Sequence, residues 1–112
     1  MEFKKFASIF DGLKEAYGYF KIEKTGSNGK AQGKAGVTRE PRTPELWQNH
    51  LLGKTTGLGI IPINEDNNCK WGCIDIDQYP LDHKLLVEKI RRLKLPLVVC
   101  RSKSGGAHCF LF

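Results

Sequence analysis

Residues 71–77, Trp71-Gly72-Cys73-Ile74-Asp75-Ile76-Asp77, form a short apolar run broken by two acids at alternate positions. The pattern predicts a buried strand. Successive strand side chains point to opposite faces, so Ile74 and Ile76 share one face and Asp75 and Asp77 the other. Two residues of strand span about 6.5–7 Å, and from there two carboxylates can converge on one hard cation or a pair. Like charges side by side repel unless a cation, a proton or water relieves them. Oxygen donors of this kind suit Mg2+ or Mn2+, and a metal held there can hold a triphosphate in turn. Alone, the pattern serves equally well as a surface accident or a salt-bridge partner.

The sequence that follows gives the pair a setting. Pro80 breaks the chain, and Leu81 to Leu93 predicts a helix with Leu85, Leu86, Ile90 and Leu93 inward. Lys84, Lys89 and Arg92 then face water. Leu97-Val98-Val99-Cys100 after Pro96 predicts a strand, Ser102 to Gly106 a tight loop, and Ala107 to Phe112 a last strand. Strand 71–77, helix 81–93 and strand 97–101 make a crossover, so the two strands run parallel and end at one edge of the sheet. The short loop returns the last strand antiparallel from that edge. Asp75 and Asp77 are therefore expected to share one site with His108.

The loop itself has the chemistry of an anion cradle. Gly105 and Gly106 permit positive φ, which lets backbone N–H groups converge on one cluster of oxygens. Ser104 adds a hydroxyl, while Arg101, Lys103 and protonated His108 add charge. A Gly-Gly hairpin by itself is an ordinary turn, and a lone histidine is ordinarily structural. Convergence on one edge is what favours a site.

Upstream, Phe3, Phe6, Ala7, Phe10 and Leu13 predict an amphipathic helix over 3–16, weakened by Gly12 and ended by Gly18. Tyr19 to Glu23 alternates like a short strand. Residues 24–36 carry Gly26, Gly29, Gly33 and Gly36 among Lys24, Lys30 and Lys34, which predicts a flexible basic loop. That loop is either a solvated connection or a segment that closes on phosphates through Lys30 or Lys34. Thr43-Pro44-Glu45 is a helix start: an N-cap, a proline at the first helical position, and an acid suited to the dipole. The helix should reach about Leu52, burying Leu46, Trp47 and Leu51 or Leu52, with Gly53 closing it. Gly57 to Ile63 predicts a buried strand and Asn64 to Asn68 a turn, so this strand and 71–77 are expected to form a hairpin. Arg39 and Arg42, flanking Pro41, are either nucleic-acid phosphate contacts or plain surface charge. Trp71 shares the alternation of Asp75 and either packs or offers its ring to a base.

The 112 residues suit one small domain or part of a larger one, with 40% hydrophobic and 27% charged residues. Eighteen basic against twelve acidic residues give +6 and a pI near 9.3, which points to a polyanionic partner. No apolar run reads as a signal peptide or membrane span, so a cytoplasmic protein without a membrane partner is expected. Cys69, Cys73, Cys100 and Cys109 contain no CxxC pair and match no common finger spacing, so reduced thiols are expected and no zinc. Gly53-Lys54-Thr55 imitates the end of a P-loop, but Gln48 stands where that motif needs glycine. Ser104 in a hairpin is misplaced for a hydrolase nucleophile.

Ile74-Asp75-Ile76-Asp77, followed by Ser104-Gly105-Gly106-Ala107-His108 and an apolar strand, resembles motifs I and II of the archaeo-eukaryotic primase superfamily, especially the primase-polymerases of phages, plasmids and mobile elements. The resemblance covers residues 55–112 best. Thr43 to Trp47 and Gly57 to Ile60 are similar, less specifically, to the N-terminal αβ unit of such enzymes. It implies template-directed nucleotidyl transfer from ribo- or deoxyribonucleoside triphosphates on a single-stranded DNA template. Asp75 and Asp77 would hold two divalent metals, Mg2+ or Mn2+, and Ser104 and His108 the incoming triphosphate. The family carries a third acid on a later strand, and this sequence stops before one. The expectation is accordingly an N-terminal αβ unit over 1–56 and an incomplete RRM-like catalytic unit over 57–112. It would be α/β (α+β), with helices packed on a mixed or antiparallel sheet, weak or inactive alone, and prone to self-association through an unpaired edge. A prokaryotic, phage or mobile-element origin, and a helicase or C-terminal region of the same protein as partner, follow from the same resemblance. A non-catalytic nucleic-acid or nucleotide-binding module and a metal-dependent nuclease are the alternatives.

Overall fold

The computed structural model describes residues 2–27, 29, 31–54 and 56–112. The class is α+β: among the described residues, three helices and two three-stranded antiparallel sheets. They fall into two compact units, Met1–Lys70 and Trp71–Phe112. No helix of the described residues is long and apolar enough to cross a membrane.

The first unit holds α1 (Glu2–Ile9), β1 (Tyr17–Thr25), β2 (Ala31–Thr38), α2 (Pro44–Leu51) and β3 (Thr56–Gly59), with sheet order β2-β1-β3. Helix α1 stops short of the expected residue 16 because the backbone beyond Ile9 is drawn elsewhere: Leu13 N–H donates to the Ile61 carbonyl at 2.9 Å. Gly12 lies so close to that carbonyl that a side chain there would collide with it. Within the expected flexible loop 24–36, residues 24–25 and 31–36 are instead strand, paired antiparallel. Its glycines serve close approach rather than flexibility, since Gly33 sits against the Lys21 carbonyl and Gly36 beneath the Tyr19 ring.

Helix α2 starts as its sequence dictates. Thr43 caps it by accepting from Leu46 N–H at 3.4 Å, and Gly53 leaves it at φ +67°. Trp47 is its buried anchor, edge-on to Phe6 at 6.0 Å. Leu51 and Leu52, one of which was expected inside, are exposed. Strand β3 pairs with β1, bringing Gly18 opposite Gly59, and not with the 71–77 strand. Of the expected hairpin only an isolated bridge, Ile63 to Cys69, is formed, around the turn in which Asn64 Oδ1 accepts from Asp66 and Asn68 N–H.

An ionic cluster ties the first unit together. Arg42 Nη2 donates to Asp11 Oδ1 at 2.9 Å and Lys70 Nζ to Asp11 Oδ2 at 3.1 Å.

The second unit holds β4 (Gly72–Ile76), α3 (His83–Arg92), β5 (Val98–Arg101) and β6 (Ala107–Leu111), in the order β4-β6-β5. Strands β4 and β5 run parallel, as the crossover requires, but β6 lies between them, so every pairing is antiparallel. The expectation of a buried 71–77 strand fails: β4 is an edge strand, with Ile76 half-buried and Ile74 55% exposed. The core is Ile90, Ala107 and Cys109, with Ile76, Leu81, Leu86, Leu97 and Val99 packed around it. Asp82 caps α3 by accepting from Leu85 N–H at 3.0 Å. The buried face is centred on Leu86 and Ile90. Leu85, about 100° round from Leu86, is exposed, as is Leu93 at the C-cap.

Burial pushes the Asp11 carboxyl up, but hydrogen bonds from Arg42, Lys70 and the Gly12 N–H outweigh it and hold its pKa at about 2, against 3.8. A pKa depressed by folding stabilises above the unfolded value, and that stabilisation is lost as pH falls through the folded one. Acid titration of stability should therefore show about 1–2 kcal/mol lost between roughly pH 4 and pH 2, a step that Asp11→Asn removes. An unchanged acid limb in that variant would show that Asp11 carries no such linkage.

Candidate functional site

Strand alternation and register build the site in the second unit. Asp75 pairs directly with His108 across β4 and β6, and His108 with Cys100 across β6 and β5. The core residues Ala107 and Cys109 alternate with His108, so His108 and Asp75 occupy the face away from the core. His108 Nε2 stands 3.5 Å from Asp75 Oδ1, an ion pair when the imidazole is protonated, with side chains 43% and 58% exposed. The backbone thus brings Asp75 and His108 together on one face, while Asp77 follows the end of β4. Rings continue the same face: Phe110 lies 6.1 Å from both His108 and Trp71, and stacks on Phe112 at 5.9 Å.

The loop joining β5 and β6 is tight. Ser102 N–H donates to the Gly106 carbonyl and Gly105 N–H to the Ser102 carbonyl, each at 3.0 Å. Gly105 takes φ +93°, and a methyl on Gly106 would run into the Ile76 carbonyl. Glycine is therefore required at both positions. Ser102 Oγ is buried without a hydrogen-bond partner.

Two residues not singled out from sequence fasten this loop to the acids. Tyr79 hydroxyl donates to Asp77 Oδ1 at 3.1 Å, and the Ser104 hydroxyl bonds to the same phenol. The hydrogen bond to Asp77 is the main cause that raises the Tyr79 pKa above its ordinary value. His83 Nε2 lies 2.7 Å from the Gly106 carbonyl. A carbonyl can only accept, so Nε2 carries the proton and donates. Tyr79 was legible, because it continues the 75, 77, 79 alternation. His83 was not, since its partner is a backbone atom 23 residues away.

Lys103 and Ser104 are exposed on the loop, Gly105 is half-buried and Gly106 is buried. Arg101 is not brought to His108: it pairs with Ala107, on the core face, and lines a groove with His83, Lys84 and Arg91. Lys34 and Arg39 belong to the first unit and are exposed, whereas Arg42 is buried against Asp11. Lys30 lies outside the described residues.

Among the described residues no group of three His, Cys, Asp or Glu forms a metal cage. Two carboxylates alone fit Mg2+ or Mn2+, which keep waters and take phosphate oxygens for the rest of their shell. Thiols offer nothing comparable here: Cys109 lies in the core, and burial pushes the pKa values of Cys109 and of Cys73 up.

The sequence model of one family, described as TOTE conflict system, Archaeo-Eukaryotic Primase domain, matches residues 6–112. No curated protein and no solved structure matches the chain. The match takes in both structural units and the whole Asp75–Asp77–His108 constellation. The chain belongs to the archaeo-eukaryotic primase domain family of TOTE conflict systems, whose chemistry at the family level is primase-like nucleotidyl transfer.

Proposed function

We propose that this domain joins nucleotides on a single-stranded DNA template, using ribo- or deoxyribonucleoside triphosphates, with the acid face of β4 and the 102–106 loop as its catalytic site. The observation that carries the proposal is the Asp75–His108 pair at 3.5 Å, beside a glycine loop whose Ser104 is linked to Asp77 through Tyr79. Asp75 and Asp77 would hold the divalent metal. When bound, that metal would polarise phosphoryl oxygens and favour the 3′-hydroxyl as nucleophile.

The chain's own residues then divide the remaining work. The Ser104 hydroxyl donates to a phosphate oxygen, and Lys103 adds charge from the exposed loop. His108, protonated, neutralises phosphate charge while Asp75 keeps its ring oriented. Tyr79 keeps Asp77 turned toward the loop until substrate takes over those contacts. The primer 3′-oxygen attacks the α-phosphorus, the bond to pyrophosphate breaks, and the hydroxyl proton is lost. Lys34 and Arg39 are assigned to template phosphates, and Lys30 with them on sequence grounds. As an edge strand, β4 can accept a further strand, from the same protein or from a second copy. A helicase, or a C-terminal region of the same protein, would supply the opened template.

Primer extension by the native gene product with Mn2+ and labelled primer–template tests this. Extension should fall by at least about a hundredfold in Asp75→Ala and in Asp77→Ala. Ser104→Ala and His108→Ala should mainly raise KM for the nucleotide. Salt-dependent binding of single strands without extension would favour a non-catalytic binding module, and shortening of the primer a nuclease.

The Tyr79 contact has its own test. The phenol should titrate above the ordinary tyrosine range, and Asp77→Asn should lower its midpoint, with Tyr79→Phe identifying its signal among the three tyrosines. A midpoint indifferent to Asp77→Asn would remove the contact.

A further inference from the structure

The first unit carries a cationic, aromatic-walled cavity that shares no residue with the acid face of β4. It measures about 310 Å³ and is lined by Phe3, Lys4, Asp11, Lys14, Arg42 and Trp47 among others. That volume lies at the small end of ligand-sized pockets, enough for a single phosphate-bearing unit. Its walls combine aromatic surface with three cations and one acid.

The acid is already spent. Asp11 gives Oδ1 to Arg42 and to the Gly12 N–H, and Oδ2 to Lys70. Its depressed pKa keeps it ionised throughout the neutral range. Shared between two cations, it leaves net positive charge in the wall, to which the exposed Lys4 and Lys14 add. Arg42 N–H donates to the Lys14 carbonyl at 3.0 Å, which holds those two residues side by side. Glu65 accepts from the Lys14 N–H at 3.0 Å but does not line the cavity.

Arg42 is the second, independent observation. Its side chain is only 8% exposed, and its Nε is buried with no hydrogen-bond partner. A guanidinium so far removed from water, with one shared counter-charge and an unmatched donor, is under-compensated. An anion in the cavity supplies compensation. Its guanidinium also lies 5.9 Å from the Trp47 ring, so charge and aromatic surface meet at one wall.

We propose that this cavity binds one nucleotide unit: its phosphate drawn by Lys4, Lys14 and Arg42, its apolar portion against Phe3 and Trp47. The phosphate belongs to a polynucleotide strand or to a free mononucleotide, two sources of the same chemistry.

Trp47 reports on the cavity it lines. In Trp71→Phe it is the only tryptophan of the two remaining, so its fluorescence can be titrated with a deoxythymidine oligonucleotide, thymidine monophosphate and inorganic phosphate. A saturable change is expected, with affinity roughly tenfold weaker in Lys4→Glu/Lys14→Glu. Both lysines are exposed, so this variant should keep the parent's melting temperature, whereas Arg42 variants risk the fold. A response to the oligonucleotide at far lower concentration than to the mononucleotide assigns the site to a strand; equal responses assign it to free nucleotide, and either supports the proposal. No response, a response unchanged by the lysine substitutions, or inorganic phosphate binding as well as the nucleotide would overturn it. Asp75→Asn should leave the Trp47 response intact, so this site and the β4 site can fail separately.

Discussion

The antiparallel register between β4 and β6 is the constraint on which the site depends. Side chains alternate with a period of two, so a slip of one residue would turn Asp75 away from His108 and send Ile76 out of the core. Three features hold the register. Ala107 and Cys109 are committed to the core with Ile90. Gly106 fits against the Ile76 carbonyl where no side chain could. His83 takes hold of the Gly106 carbonyl from the start of α3. A hydrophobic core on one face thus fixes the placing of charges on the other.

That division of labour also explains the site's exposure. Asp75, Asp77 and Ser104 reach water, so ionised acids carry little desolvation cost before a ligand arrives. The residues that aim them are the ones held in place: Gly106 buried, His83 half-buried, and Tyr79 bonded to both sides. In the first unit the arrangement is reversed. There the charged group itself, the Arg42 side chain, is buried, while Lys4 and Lys14 beside it are exposed.

Much of this was legible wherever a local rule was sufficient. The Thr43 cap, the asparagine turn, the crossover direction and the alternation of Asp75 with the core residue Ile76 all follow from short-range stereochemistry. What escaped depends on contacts distant in sequence. Gly33 and Gly36 look like flexibility until the opposing strand is seen to press on them. Strand β3 could not be assigned to β1 without knowing that Gly18 and Gly59 face one another. Arg101 reads as part of the anion loop, yet strand parity carries it to the core face beside α3. Parity counted outward from Ala107 and Cys109 would have corrected that, had the buried pair been known first.

In the proposed function Asp75 and Asp77 hold a hard divalent cation. Paramagnetic broadening by sub-stoichiometric Mn2+ in amide-resolved NMR spectra tests it most directly, because the effect falls steeply with distance from the ion. The account predicts that the signals of Asp75, Ile76, Asp77 and His108 disappear first, and that excess Mg2+ restores them. Broadening centred on the first unit, or spread evenly over the chain's acidic residues, would contradict it.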